Sequence, residues 1–121
     1  MQQKRTLVLG ASDKPDRYSY MVIESLLKAG HPVVAIGNRN SSVHGVKIYT
    51  ELIPISDIHT ITLYLSPPNQ RPYYDYIVSL KPKRIIFNPG TYNPELIALA
   101  EKNGIDCEVA CNLVLLSTGQ F

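Results

Sequence analysis

The chain has 121 residues, of which 45% are hydrophobic and 18% charged, and its formal net charge is +2. This length fits one domain, and the apolar content is typical of a globular protein and not of a disordered chain. The small charge and dispersed Lys and Arg residues argue against a nucleic-acid-binding face, and no apolar run approaches the ~20 residues of a membrane span. Residues 1–5 lead directly into a strand-like segment without a signal-peptide core, so the sequence predicts a cytoplasmic protein.

Short β-branched runs alternate with helical patterns along the chain, which is typical of βαβ units around a parallel sheet. The predicted strands lie at residues 6–9, 32–36, 45–49, 61–65, 84–87 and 106–109. The predicted helices lie at residues 19–29, 70–80 and 94–103, with a short helix or coil at 112–117. Together they predict one Rossmann-like α/β domain over residues 1–121, with three layers and a mostly parallel sheet of about five to six strands.

In such a sheet the loops after the carboxyl ends of the strands open on one edge, and ligands bind there. Four predicted loops share this edge and hold much of the Gly, Pro, Asn and Ser of the chain. They are residues 10–18, 37–42, 66–70 and 88–93.

The first of these loops joins a strand to a helix N-terminus, where unpaired N–H groups and the helix dipole favour a phosphate. Compared with the dinucleotide pattern G-x-G-x-x-G, only Gly10 is present, because Ser12 and Pro15 stand at the second and third glycine positions. Ordinary NAD binding is therefore less favoured than binding of another phosphate-bearing nucleotide.

The second predicted strand is followed by Asn38 and Arg39, where an NAD site normally has an acidic residue for the ribose hydroxyls. A guanidinium at this position suits a phosphate on the ribose, as in NADP or the 3′-phosphate of coenzyme A. Lys14, Arg17 and Arg39 are either ligand contacts or solvated loop charges, and their convergence on one edge favours the first interpretation.

The sequence offers no catalytic constellation and no metal-ligand spacing. His31 and His59 precede strands, which places them on the edge opposite the predicted ligand. Cys107 and Cys111 are four residues apart, which is neither a C-x-x-C redox motif nor half of a zinc site with a second pair. We therefore expect a binding protein and not an enzyme, with no metal.

A longer pattern resembles the small standalone CoA-binding proteins of bacteria. It begins with the run from Gly10 to Tyr20 and spans most of the chain. The other matching residues are Leu26, Leu27, Gly30, Gly45, Tyr49, Leu52, Ile55, Pro67, Gly90 and the helix start at 93–100. Those proteins resemble in turn the N-terminal CoA-binding domain of the succinyl-CoA synthetase alpha subunit, which is a Rossmann fold. The standalone proteins lack the catalytic domain of the synthetase.

The resemblance implies that coenzyme A binds at this edge. It implies that Asn38 and Arg39 lie near the ribose phosphate, that Pro67 lies beside the adenine or pantetheine, and that Gly90 lies under the ligand. The first-loop and helix-start residues that it implies are Gly10, Ala11, Ser12, Pro15, Arg17, Ser19 and Tyr20. The chain departs from the family pattern at Asn38–Asn40 and at Phe87–Pro89.

These observations favour non-catalytic binding of coenzyme A or an acyl-CoA by a carrier, sensor or regulatory subunit. Two alternatives stay open: an NAD(P)-binding or redox-sensing module, and an interaction subunit that has lost its ligand. Small Rossmann domains often bury one flank, which leaves a homodimer open as well.

Overall fold

The computed structural model describes residues 3–121, so residues 1 and 2 of the predicted domain lie outside the described range. Residues 3–121 form seven strands: β1 (Thr6–Ala11), β2 (Val33–Gly37), β3 (Ser41–Val43), β4 (Val46–Tyr49), β5 (Thr60–Leu63), β6 (Arg84–Phe87) and β7 (Asp106–Val109). The helices are α1 (Tyr18–Lys28), α2 (Pro67–Gln70), α3 (Tyr74–Leu80), α4 (Pro94–Lys102) and α5 (Asn112–Ser117), with a 3₁₀ turn at Arg71–Tyr73. None of these helices is both long and apolar enough to cross a bilayer.

The strands form one sheet in the order β3-β4-β2-β1-β5-β6-β7. All neighbours are parallel except β3 and β4, which pair antiparallel. This confirms the predicted α/β class and the mostly parallel sheet. The additional strand, β3, pairs with β4 across the two-residue turn His44–Gly45, whose positive φ angles of 48° and 85° match the twist of a tight hairpin.

Successive residues of β1 point to opposite faces of the sheet, and each face is covered by helices. Leu7 and Leu9 belong to a core cluster with residues of α3 and α4, including Ile77 and Leu96. Val8 belongs to a second cluster, which contains residues of α1 and is packed against by leucines of α5. Two helical layers therefore enclose the sheet, as the continuous apolar strand runs predicted.

The predicted helix at 70–80 is wrong in its start and continuity. Helix α2 begins at Pro67, since a first-turn position does not need the N–H that proline lacks. The chain then passes through a 3₁₀ turn containing Pro72 before α3, which ends at Lys81 in the left-handed conformation.

A fully buried glutamine joins the loops after β5 and β6. The Gln70 side-chain amide donates hydrogen bonds to the carbonyl oxygens of Leu65 and Thr91, both at 2.8 Å. Its Oε1 accepts a hydrogen bond from Asn93, whose own Oδ1 caps α4. The third and fourth loops of the ligand edge are therefore held together by one side chain.

At the opposite edge of the sheet, Arg84 is 9% exposed and every arm of its guanidinium is engaged. It donates to the hydroxyl of Thr60 at 2.8 Å, to the carboxylate of Glu108 at 3.1 Å and to the carbonyl of Phe121 at 2.9 Å. The ring of Phe121 lies 4.4 Å from the guanidinium carbon and 4.9 Å from the ring of His31. His31 and His59 both lie at this edge, as predicted from their positions before β2 and β5.

Candidate functional site

A cavity of about 670 Å³ opens at the carboxyl ends of β1, β2 and β5. The chain leaves β1 toward β2 on one side and returns to β5 on the other, so this is the switch point of the strand order, where α/β sheets bind ligands. The lining residues are Gly10, Ala11, Ser12, Asp13, Lys14, Arg17, Gly37, Asn38, Arg39, Tyr64, Leu65, Asn69 and Tyr73.

The first loop starts from an irregularity at the end of β1. Gly10 has φ +95°, and the register between β1 and β2 shifts between Leu9 and Ala11. A Cβ atom on Gly10 would lie 2.9 Å from the backbone carbon of Tyr64, so both its conformation and its surroundings require glycine. The backbone of the loop can therefore lie directly against the strand end of β5.

The same loop is shaped by two serine hydroxyls before α1 begins. The Ser12 N–H donates to Ser19 Oγ at 3.1 Å, and the Lys14 N–H donates to Ser12 Oγ at 3.2 Å. Within residues 3–121, the N–H groups of Tyr18 and Ser19 have no acceptor, as expected for the first turn of a helix. Helix α1 therefore presents the unpaired amide groups that an anion uses.

The second loop is held close to the first by Gly37. A Cβ atom on Gly37 would lie 2.2 Å from the carbonyl oxygen of Ala11, so only glycine allows the two strand ends to approach this closely. Asn38 and Arg39 follow with exposed side chains and line the cavity. The guanidinium of Arg39 therefore belongs to the same site as the first loop.

Three cations face this cavity with few acidic partners. In the described chain neither Lys14 nor Arg39 has a carboxylate within 4.0 Å, and Arg17 approaches only Asp16, at 3.9 Å. All three side chains are exposed. Their charge is available to an anionic ligand.

Aromatic and apolar groups form the wall contributed by the β5 side. Tyr64 and Leu65 follow β5 directly, Tyr73 comes from the 3₁₀ turn after α2, and the polar Asn69 of α2 lies beside them. Burial raises the pKa of the Tyr64 hydroxyl, so this side chain stays a neutral phenol at physiological pH. The cavity therefore combines a cationic side with a neutral, partly apolar side.

The structure brings six of the predicted site residues together around the cavity and leaves five outside its lining. Those that line it are Gly10, Ala11, Ser12, Arg17, Asn38 and Arg39; those that do not are Pro15, Ser19, Tyr20, Pro67 and Gly90.

Each residue outside the lining has a definite position. Ser19 is buried and supports the first loop through its hydroxyl, and the Tyr20 ring lies 5.4 Å from the ring of His44. Pro67 lines a neighbouring cavity of about 350 Å³, while Pro15 and Gly90 are exposed on their loops. A direct ligand contact by any of them stays a prediction.

His44, on the turn between β3 and β4, is engaged away from the cavity. Its Nε2 lies 2.8 Å from Glu24 Oε2 on α1, and it is not part of the cavity lining. The structure therefore ties this histidine to the outer face of α1.

Seven lining residues were not among the site residues that the family resemblance implied, although the convergence of charges on one edge favours Lys14 as a ligand contact. The signal for Gly37, Tyr64 and Leu65 was their position at strand ends, and that for three others was membership of the first and third loops. Tyr73 lies in the predicted helix 70–80 and had no loop signal. The seven residues are Asp13, Lys14, Gly37, Tyr64, Leu65, Asn69 and Tyr73.

Comparison with protein families decides what kind of domain this is. Residues 4–117 match the family model of the CoA binding domain. The chain belongs to the CoA-binding domain family. No curated protein sequence matches this CoA-binding domain.

Solved structures agree with this assignment at the level of the fold. A crystal structure of a protein described as uncharacterized is 45% identical, with each chain covered over 100% of its length and a TM-score of 0.97. A hypothetical protein from Pyrococcus horikoshii OT3 is 28% identical over 97% of this chain and 84% of its own, with a TM-score of 0.85.

A larger enzyme contains the same fold as one part of its chain. The dinucleotide-forming acetyl-coenzyme A synthetase 1 of Ca. Korarchaeum cryptofilum, in complex with phosphate and ADP, is 18% identical, with a TM-score of 0.73. The match covers 90% of the CoA-binding domain described here and 26% of the synthetase.

Proposed function

We propose that this domain binds coenzyme A or an acyl-CoA without catalysing a reaction, as a carrier, sensor or regulatory subunit in the cytoplasm. The observation that carries the proposal is the cavity at the switch point, where the first loop, which leads into α1, brings Lys14 and Arg17 together with Arg39 of the second loop. Family membership and the coenzyme A chemistry of the structurally similar synthetase support the choice of ligand.

The residues present fit the phosphates of coenzyme A. The first loop and the α1 N-terminus suit the diphosphate, because backbone N–H groups at a helix start bind anions. Arg39, one strand away, suits the additional phosphate on the ribose, because guanidinium groups pair with phosphate oxygens through two parallel hydrogen bonds. Tyr64, Leu65 and Tyr73 supply neutral surface for the adenine or the pantetheine arm.

The lining supports a binding role. Among the described residues, the cavity lining contains one carboxylate, that of Asp13, and no histidine or cysteine. Asp13 accepts a hydrogen bond from Ser41 at 2.7 Å. General acid–base or nucleophilic chemistry requires a matched pair of groups within hydrogen-bond reach, and the lining supplies none.

The test is a thermal-shift panel of coenzyme A, acetyl-CoA, dephospho-CoA, NAD and NADP. A ligand that binds only the native state raises its stability by mass action, so coenzyme A should raise Tm more than dephospho-CoA does. Arg39→Ala should weaken coenzyme A binding by about 10- to 100-fold and change dephospho-CoA binding by less than about twofold.

Lys102→Ala, which removes an exposed cation at the end of α4, serves as the control and should leave both affinities unchanged. Equal stabilisation by coenzyme A and dephospho-CoA would show that Arg39 does not read the ribose phosphate. A response to NAD or NADP alone would favour the NAD(P)-binding alternative.

A further inference from the structure

A side-chain hydrogen bond joins the first loop to the end of the segment that carries Arg39. Ser41 Oγ, at the start of β3, donates to Asp13 Oδ2 of the first loop at 2.7 Å, although the residues are 28 positions apart. Both side chains are partly buried. The contact is a tertiary link and not a local turn.

This link lies at one end of the short segment that carries Arg39. The other end, Gly37, packs against the Ala11 carbonyl. The three residues between these ends, 38–40, are exposed and belong to no strand. The position of Arg39 therefore depends on how firmly both ends of this three-residue segment are held.

The Ser41 end of the segment lies at the open end of the β3–β4 hairpin, at the outside of the sheet. Strand β3 has three residues and pairs only with β4, which itself pairs with β2 through two residue pairs, Ala35 with Ile48 and Ile36 with Tyr49. Val43 and Ile48 anchor the body of the hairpin in the core cluster that contains residues of α1, while Ser41 lies at its open end. The bond to Asp13 connects it directly to the first loop.

The charges of Asp13 and Arg39 also favour holding Arg39 near the first loop. The hydrogen bond from Ser41 lowers the pKa of Asp13, and the positive charges of Arg39 and Lys14 lower it as well. Asp13 is therefore a carboxylate at neutral pH, and it attracts the guanidinium of Arg39 toward the first loop.

We infer that Asp13 and Ser41 are positioning residues that hold Arg39 at the cavity, and that they thereby give the site its preference for a nucleotide with a phosphate on the ribose. The inference rests on the proposed function, since it names the origin of a selectivity that the proposed function requires. Neither residue needs to touch the ligand.

Ser41→Ala tests the hydrogen bond while it keeps the charge of Asp13. The ratio of the dephospho-CoA Kd to the coenzyme A Kd, measured by calorimetry, should fall by about three- to tenfold, since one net hydrogen bond is lost. Ser42→Ala is the matched control, because Ser42 is the next residue of β3, is exposed and has no side-chain hydrogen bond within residues 3–121. It should leave the ratio unchanged.

The double variant Ser41→Ala with Arg39→Ala separates positioning from general damage. If Ser41 acts through Arg39, the double variant has the same ratio as Arg39→Ala alone, because Ser41 then has no effect on the ratio once the Arg39 side chain is removed. Asp13→Asn should raise the affinity for both nucleotides by removing a negative charge near their diphosphate, and should still lower the ratio.

Three results would overturn the inference. The first is a ratio for Ser41→Ala equal to that for Ser42→Ala. The second is an equal loss of affinity for both nucleotides in Ser41→Ala. The third is a change in the ratio when Ser41→Ala is added to Arg39→Ala. Failure of the proposed function gives a different result, in which the wild-type chain releases no heat with either nucleotide, and the inference then falls with it.

Discussion

Positively charged residues have opposite roles at the two ends of the strands, which form the cavity edge and the opposite edge of the sheet. At the edge with the cavity, Lys14, Arg17 and Arg39 are exposed and, apart from the 3.9 Å approach of Arg17 to Asp16, lack carboxylate partners in the part of the chain that the structure describes. At the other edge, Arg84 is buried and its donors reach Thr60, Glu108 and Phe121.

The difference follows from the cost of removing a charge from water. A buried guanidinium is stable only when protein groups replace its hydration, so Arg84 must be fully hydrogen-bonded. An exposed guanidinium keeps its water and can exchange it for the oxygens of a phosphate. Position in one sheet therefore decides whether an arginine stabilises the fold or is available to a ligand.

Arg84→Met gives the largest expected effect on stability. Methionine keeps an apolar stem but removes three hydrogen bonds and the contact with the Phe121 ring. Discounting the bond to half-exposed Glu108, we expect a loss of about 2–4 kcal/mol in the free energy of unfolding. Denaturant unfolding measures it, and the coenzyme A to dephospho-CoA ratio should not change.

Lys83→Met is the control for this variant, because Lys83 is the neighbouring cation and is exposed. Its effect should stay within about 0.5 kcal/mol. A stability of Arg84→Met equal to that of wild type would show that the hydrogen bonds of Arg84 make no net contribution.

Gly37→Ala is expected to disturb both the stability and the cavity. The new Cβ atom would lie 2.2 Å from the Ala11 carbonyl oxygen, so the ends of β1 and β2 must separate. We expect a loss of about 1–3 kcal/mol and a weaker response to every nucleotide of the panel, since the first loop moves with Ala11. Denaturant unfolding and thermal shift measure the two effects.

Gly45→Ala provides the comparison, because Gly45 has φ +85° but nothing within 4 Å of an added Cβ atom. It should cost about 1–2 kcal/mol through backbone conformation alone. Nucleotide binding by Gly37→Ala at the wild-type level would contradict the role of this close approach.

The smallest effect is a loss of stability in mild acid at the edge opposite the cavity. Burial lowers the pKa of His31, with the charges of Lys4 and Arg84 acting in the same direction. His31 Nδ1 also accepts the Lys4 N–H at 3.0 Å, a bond that protonation at Nδ1 would break. The unfolded chain therefore binds a proton more readily, and stability falls as pH drops below about 6.5 toward the lowered folded-state pKa.

Over this pH range the free energy of unfolding should decline by less in His31→Asn than in wild type. The asparagine side-chain oxygen can still accept the Lys4 N–H, but asparagine does not titrate. Part of the decline remains, because burial lowers the pKa of His59 as well. A pH profile of His31→Asn identical to that of wild type would assign the effect to other groups.

Most of the fold could be predicted because its elements are marked locally. Short β-branched runs, two of them ended by glycine, predicted six strands, and helical spacing with capping residues predicted α1 and α4. Strand β3 has no apolar run in Ser41–Val43 and exists through its pairing with β4, so no local pattern indicated it. Helix α2 was missed because Pro67 and Pro68 suggest a chain break, although a first helical turn tolerates both.

The site could be predicted to the level of its loops and less well to its side chains. The carboxyl ends of parallel strands converge by geometry, which placed Ser12 and Arg39 on one edge. The contact of Gly37 with Ala11 and the bond of Ser41 with Asp13 join residues 26 and 28 positions apart, so only the folded chain shows them. The position of Pro67 outside the cavity lining could not be predicted either, because it depends on where α2 begins.

The strand order also has a consequence for self-association through the backbone. A sheet that is not closed has two outer strands whose hydrogen-bonding groups can pair with another chain. Here one outer strand, β3, is only three residues long, and the other, β7, carries the acidic residues Asp106 and Glu108. Shortness on one side and negative charge on the other oppose edge-to-edge aggregation, so concentrated solutions of the folded protein should resist growth into extended β-structure.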